Sequence, residues 1–453
     1  MTEATSYTRR SGALFRTVLN DLKRDEASAA RELGVERDLI DSVLRGSRVL
    51  PYDLVERAAQ VWPINERDLL AVHDDAPTGV RIMSAQESLV STRVLRRGGV
   101  DYYEYRDTAM SRVSALRPEW IRMLQAVDDD DPNNPAVRWN NGHLLFQFTF
   151  FLEDTNYYYQ WQGRRMCRRM SRGDSVVGLP YAPHSFASRN PDRPGLILAL
   201  TYAGSIGSEA QRELGALGPE LAGSFAPQDG QSASGFSSLL KMHMNNACTT
   251  LAQLSQSTGV SSRRLTDLAH GRDRPYDQER QRIARALGVA ERDLLSRSTD
   301  TEDGVRFVTS QQGPVCSYPA GSHAAYHVRQ LARSCVTPFA RGLELRVPLT
   351  GTAPALSCGL HEYGYNHGSA PFVLGWNDDG QEREACIEPG DSFYIKPFVS
   401  HAFTRSPDSH EAAQVLLLRV GGHVTGDAAL EAAILGRAAL RRAAEDAERW
   451  YHE

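Results

Sequence analysis

Gly173-Asp174-Ser175-Val176-Val177-Gly178-Leu179-Pro180-Tyr181-Ala182-Pro183-His184 reads as a glycine-led turn, a short apolar strand and a proline-bounded return that ends on a histidine. Its skeleton occurs twice: Gly390-Asp391-Ser392 and His401 stand 217 positions beyond Gly173-Asp174-Ser175 and His184. Pro51-Tyr52-Asp53 likewise returns as Pro275-Tyr276-Asp277, and Glu66-Arg67-Asp68-Leu69-Leu70 as Glu291-Arg292-Asp293-Leu294-Leu295. Repeats spaced this widely mark a duplicated chain with halves of about 220 residues each.

Working upstream, Asn140-Asn141-Gly142-His143-Leu144-Leu145-Phe146-Gln147 places a second histidine where a turn opens onto an apolar strand. His143, Gln147 and His184 together offer two imidazoles and an oxygen donor, a facial set that leaves positions on Fe(II) for substrate and dioxygen. In a straight strand His143 and Gln147 would lie about 13 Å apart, so the set requires a bend between them. The usual carboxylate is missing. A neutral amide in its place leaves the ferrous centre more positive and predicts weaker iron retention and a higher potential.

Around this core the texture alternates. Residues 11–75 and 236–296 carry apolar positions at three-and-four spacing, with Gly34 and Gly259 where the turn of a helix-turn-helix would fall. Residues 36–45 and 261–270, the candidate second helices, mix Arg with Asp and Glu, so the scaffold reading is favoured over DNA binding. After each helical block come short alternating runs bounded by Gly, Pro, Asn and Asp, such as Leu144 to Leu152, Leu196 to Tyr202, Phe372 to Trp376 and Val415 to Val420. These predict small jelly-roll barrels of cupin type. The expected fold is therefore α+β: a tandem duplication of an all-helical, helix-turn-helix-like domain followed by a cupin β-barrel. The boundaries read as helical domain 1–75, iron-site barrel 76–205, linker 206–235, second helical domain 236–300, second barrel 301–424 and C-terminal helix 425–453. In the second barrel Tyr365-Asn366-His367-Gly368 and His401 keep two histidines, but Pro371 stands four residues past His367 and cannot ligate. His361 could complete a three-histidine set; a vestigial barrel is expected instead.

The 453 residues carry 51 Lys plus Arg against 56 Asp plus Glu, a net charge of −5 that argues against a chain built to track phosphate backbones. Six cysteines lie scattered without CxxC spacing, as in a reducing compartment. With no apolar leader and no run of about 18 apolar residues, a cytoplasmic protein without a membrane partner is expected. Nucleic acid is not expected as a partner, whereas self-association is.

The Asn-Asn-Gly-His motif, the Gly-Asp-Ser motif ending in Pro-His, and the helical-then-barrel order repeated over essentially the whole chain resemble the family of hydroxyethylphosphonate dioxygenase and methylphosphonate synthase. The resemblance implies a non-haem Fe(II) dioxygenase, independent of 2-oxoglutarate, that cleaves the carbon–carbon bond of 2-hydroxyethylphosphonate with O2. One branch takes a Glu as third ligand, at a position that here is Gly178; the methylphosphonate-forming branch takes a Gln four residues after the first His, as Gln147 does here. Methylphosphonate and carbon dioxide are therefore the expected products, with hydroxymethylphosphonate and formate as the alternative. A ligand-sensing DNA-binding regulator is a second alternative. Carried over from the family, His143, Gln147 and His184 would hold iron, and Asn140, Arg97, Tyr105 and Lys23 would contact the phosphonate, Tyr105 and Lys23 also serving the chemistry. Thr201 would add a polar contact, and Arg419 stands where the family has a Lys, an exchange that keeps charge but alters geometry.

Overall fold

A computed structural model describes residues 2–226, 235–296, 299–319, 326–347, 353–407 and 409–451. It divides into two compact units, one of Met1–Tyr202, Phe307–Arg333 and Phe339–Glu453, the other of Ala203–Arg306 and Ser334–Pro338.

The first unit opens with helices at Glu3–Leu22, Glu26–Leu33, Arg37–Leu44 and Tyr52–Val61. Their ends follow local chemistry. Asp25 accepts the Ser28 amide at the start of the second helix, and Gly34 closes it in the left-handed conformation (φ 64°) that only glycine adopts without strain. The apolar stripes meet in a core of Phe15, Leu19, Leu33, Ile40, Val43, Leu54 and Trp62. Beneath it Arg16 pairs with buried Glu26 at 2.8 Å, and Arg449 from the chain's end joins the same carboxylate at 3.0 Å. In the second unit the pattern returns: helices Gly235–Asn246, Leu251–Thr258, Ser262–Ala269 and Asp277–Leu287 enclose Leu240, Leu254, Leu265, Leu268 and Ile283. Part of the expected linker is ordered instead, as helices Glu209–Leu217 and Pro219–Ser224; its residues 227–234 lie outside the described ones. The terminal helix runs Asp427–Glu445 and is interrupted at Gly436 (φ 77°).

Among the described residues, twenty strands follow the alternating runs. In the first half they are β1 (Val80–Met83), β2 (Arg93–Arg97), β3 (Val100–Asp107), β4 (Arg117–Met123), β5 (Phe146–Phe151), β6 (Thr155–Trp161), β7 (Arg164–Met170), β8 (Ser175–Gly178), β9 (His184–Ser188) and β10 (Leu196–Tyr202). In the second they are β11 (Val305–Val308), β12 (Val315–Tyr318), β13 (Tyr326–Gln330), β14 (Ala340–Arg346), β15 (His361–Asn366), β16 (Phe372–Asp378), β17 (Gln381–Ile387), β18 (Ser392–Ile395), β19 (His401–Arg405) and β20 (Gln414–Val420).

Each half builds a large sheet and a small one. The first pair has orders β11-β8-β5-β10-β4-β3-β2 and β7-β6-β9; the second has β1-β18-β15-β20-β14-β13-β12 and β17-β16-β19. Inward side chains of the second pair, among them Phe372, Leu374, Phe393, Phe403, Val415 and Leu417, form one continuous core, as expected of sheets facing across apolar surfaces. Strand β1 belongs by sequence to the first half but pairs with β18 of the second, Val80 opposite Ile395.

The repeated Gly-Asp-Ser motif joins the halves. Asp391 accepts the Ala85 amide at 2.7 Å and Ser392 Oγ the Ala109 amide at 2.8 Å; Asp174 accepts the Ser310 amide at 2.7 Å and Ser175 Oγ the Ala332 amide at 2.9 Å. All four side chains are buried, where an amide left unpaired would cost on the order of 1–3 kcal/mol. Among the described residues no helix is long and apolar enough to cross a membrane, and no disulfide joins the cysteines.

Candidate metal centre

The bend required between His143 and Gln147 lies ahead of the strand. Gly142 (φ 73°) packs so tightly on the Tyr181 backbone that an added Cβ would come within 2.5 Å of its carbonyl carbon, and β5 begins only at Phe146. His143 thus turns back over the strand it precedes. Its Nδ1–H donates to the Leu145 carbonyl at 2.8 Å, which leaves the Nε2 lone pair facing Gln147 Oε1 at 3.2 Å. The amide is oriented from its other side, where Gln147 Nε2 donates to Thr149 Oγ1 at 2.9 Å. Two lone-pair donors held face to face repel unless a cation or a proton lies between them, so the arrangement suits a metal ion.

His184 opens β9 with the same logic. Its Nδ1–H donates to the Ala182 carbonyl at 2.9 Å, and its ring stands 5.4 Å from that of His143 at 87°. Burial, with smaller contributions from His143 and Arg97, lowers its pKa to about 4, so the imidazole is neutral near pH 7. Asn140 ties the group together: Oδ1 accepts the amides of Gly142 (3.0 Å) and His184 (2.8 Å), and Nδ2 lies 3.0 Å from His184 Nε2. A small cavity opens here, lined by His143, Gln147, Thr149, Gly178 and His184.

Cross-strand register explains how one amide serves this cavity. Gln147 lies between Gly178 on β8 and Thr201 on β10, directly opposite each, so the three share a face. A Cβ at Gly178 would meet only the Tyr157 hydroxyl, at 3.7 Å. Arg97 donates to the Arg138 carbonyl at 3.0 Å, with its guanidinium 4.8 Å from the Tyr103 ring centroid, and contributes to the electrostatics of both His184 and Tyr105. Burial raises the Tyr105 pKa, so its phenol keeps its proton near neutral pH.

Two expected residues are not brought to this constellation by any described contact. Lys23 caps the first helix, its ammonium on the Asn20 carbonyl (2.8 Å) and 4.6 Å from the Trp450 ring centroid. Arg419 lies on β20 of the second sheet pair, its guanidinium engaged by Glu362. Both were expected from family position, which does not reveal the neighbours a side chain meets. Conversely, Thr149 joins the site unannounced by any motif, although its place two residues beyond Gln147 on a strand puts both on one face. The same holds for Glu119, which salt-bridges Arg93 at 2.9 Å; burial raises the Glu119 pKa and His143 is among the charges acting on it. Nothing in its local sequence marked it.

Duplicated sheet pairs with two imidazoles and an oxygen donor grouped at one cavity are the build of a mononuclear non-haem oxygenase. No family model matches the chain. Methylphosphonate synthase of Nitrosopumilus maritimus (strain SCM1) is 36% identical over 449 residues, 98% of this chain and 96% of the relative. A solved structure of the Streptomyces albus 2-hydroxyethylphosphonate dioxygenase, with 2-hydroxyethylphosphonate and Fe(II) bound, matches at 39% identity and a TM-score of 0.91, covering 98% of this chain and 99% of that one. A third structure, a glutamate-to-histidine variant of 2-hydroxyethylphosphonate dioxygenase, shares the fold at 23% identity and a TM-score of 0.76, covering 95% of this chain and all of its own. The chain belongs to the family of methylphosphonate synthase and 2-hydroxyethylphosphonate dioxygenase.

Proposed function

We propose that the chain is an Fe(II)-dependent oxygenase that cleaves 2-hydroxyethylphosphonate with O2 to methylphosphonate, carbon dioxide and water. The observation that carries this reading is the pair of facing lone-pair donors, His143 Nε2 and Gln147 Oε1, beside a neutral His184. These three residues would hold the iron, which when bound supplies the electrons that activate dioxygen. Asn140 orients His184 through its backbone and ring and keeps an amide at the cavity edge. Arg97 offers a cation for the phosphonate, Tyr105 a protonated phenol as donor, and Thr201 a hydroxyl across from Gln147. Lys23 and Arg419 are left out of the proposal, because no described contact brings either to this cavity.

In finer terms we read the sheet pairs as cupin jelly rolls and the helical modules as scaffolds of helix-turn-helix type. We place the protein in the cytoplasm, in keeping with cysteines that form no disulfide among the described residues. Self-association finds support in Ile434 and Leu435, exposed on the terminal helix.

Hydroxymethylphosphonate with formate is the second reading, favoured by the 39% identity to a 2-hydroxyethylphosphonate dioxygenase. Aerobic incubation of Fe(II)-loaded protein with 2-hydroxyethylphosphonate, followed by phosphorus NMR, separates the two. A methylphosphonate signal is expected; hydroxymethylphosphonate would establish the second reading, and unchanged substrate would dismiss both.

A further inference from the structure

Arg93 and Arg97 begin and end β2, and the sheet gives them different surroundings. Arg93 pairs in register with Tyr105 on β3; between Leu95 and Arg96 the register slips, so that Arg97 lies opposite Val100. A slip of this kind re-aims the side chains beyond it. Arg97 reaches a carbonyl, that of Arg138, whereas Arg93 meets two carboxylates: Nη1 donates to Asp107 Oδ1 at 2.7 Å and Nη2 to Glu119 Oε1 at 2.9 Å.

Glu119 belongs to the face of the sheet that carries the metal centre. It lies opposite Ala199 on β10, and Ala199 lies opposite Thr149, so one row of side chains runs from Glu119 across a methyl group to the hydroxyl that orients Gln147. Asp107 stands directly opposite Glu119 on the other side, and two carboxylates facing each other across a ladder repel. The Arg93 guanidinium relieves this by bridging both, and a cation held from two directions keeps its place better than one in a lone surface pair.

The clamp holds Arg93 against Tyr105. The guanidinium carbon lies 5.6 Å from the Tyr105 ring centroid, and the Tyr103 ring stands edge-on to the same ring at 5.8 Å and 90°. Tyr103 is itself anchored, its hydroxyl donating to the Phe186 carbonyl at 3.1 Å. A phenol can aim its proton only as well as its ring is held.

We propose that Glu119 is a positioning residue for Tyr105, acting through Arg93, an inference that rests on the reading of Tyr105 as a donor to the phosphonate. Arg93 is accordingly not a second cation for the substrate: two carboxylates match its charge, and that part is left to Arg97. Glu119 acts on the Tyr105 phenol and is itself acted on by His143, which places it within the electrostatic reach of both.

A double-mutant cycle on the full chain tests this, with a second readout that needs neither iron nor substrate. In the Fe(II)-loaded enzyme Glu119→Ala and Arg93→Leu should each raise the KM for 2-hydroxyethylphosphonate about fivefold and change kcat less. Glu119→Gln keeps an oxygen for Arg93 Nη2 and should recover most of that loss. In a Tyr105→Phe background Glu119→Ala should add less than about twofold, because no hydroxyl remains to be aimed. In the iron-free protein the NMR signal of the Tyr105 ring, identified by its loss in Tyr105→Phe, should move the same way in Glu119→Ala and in Arg93→Leu, since either change takes the guanidinium off the ring. A purely electrostatic role would move it in opposite directions, as one change removes a negative and the other a positive charge; that result would overturn the proposal. So would a Tyr105 signal that stays put in Glu119→Ala, or an undiminished effect of Glu119→Ala beside Tyr105→Phe. Should the loaded enzyme leave 2-hydroxyethylphosphonate unchanged, the proposed reaction falls and the ring signal alone decides the positioning role.

Discussion

Gln147 is a neutral residue in a place where chemistry more often puts a charge, and its usefulness depends on how it is held. Thr149 takes its NH2 group, so its oxygen is presented to His143. Gln147→Ala should therefore abolish iron-dependent turnover and leave the far-ultraviolet circular dichroism unchanged; full residual activity would show that the amide is not a ligand. A different residue sets acid tolerance. His367, one of the two histidines of the second barrel, faces Glu344 at 3.2 Å, and Arg329 holds the same carboxylate at 2.6 Å. Burial would raise the Glu344 pKa, but these partners bring it to about 2, below the ordinary value of 4.5. Stability from this lowered carboxyl is fully present above about pH 4.5 and is lost as pH falls through about 2, on the order of 3 kcal/mol in all. Chemical denaturation between pH 6 and pH 3 should show a smaller acid loss for Glu344→Gln than for the unaltered protein.

At the level of elements, the turn before β5 does the positioning. Gly142 has no room for a Cβ and a backbone that disfavours one, so Gly142→Ala must displace Tyr181 or His143. Iron affinity should fall at least about tenfold, corresponding to roughly 1.4 kcal/mol, as read by competition with a chelator. The Gly-Asp-Ser turns act differently. Their Asp and Ser side chains, which the sequence reading linked to the site only by their spacing from His184, receive backbone amides from the opposite half. Ser392→Ala leaves the Ala109 amide buried and unpaired. A loss of about 1–3 kcal/mol is expected from denaturant titration, with iron content unchanged.

For the whole molecule, strand exchange makes the halves interdependent. A fragment of residues 206–453 lacks β1, which borders β18, and leaves Asp391 and Ser392 without the Ala85 and Ala109 amides. Expressed alone it should melt without cooperativity or aggregate, because an uncovered strand edge seeks another chain. Coexpression with residues 1–205 should restore a cooperative transition; two fragments that each unfold cooperatively by themselves would show that the exchange is dispensable.

Periodicity, turn residues and repetition are local, and the sequence by itself determined what depends on them: the duplication, the paired helical modules, most strand positions, and His143, Gln147 and His184 as a potential ligand set. Tertiary structure decided what depends on neighbours far apart in the chain. His367 follows β15 and faces Glu344, while cross-strand register sets Glu362 between β18 and β20 as it sets Gln147 between β8 and β10. Lys23 and Arg419 were placed by likeness, and the neighbours their charged heads meet, Trp450 and Glu362, lie 427 and 57 residues away along the chain, beyond the reach of local pattern.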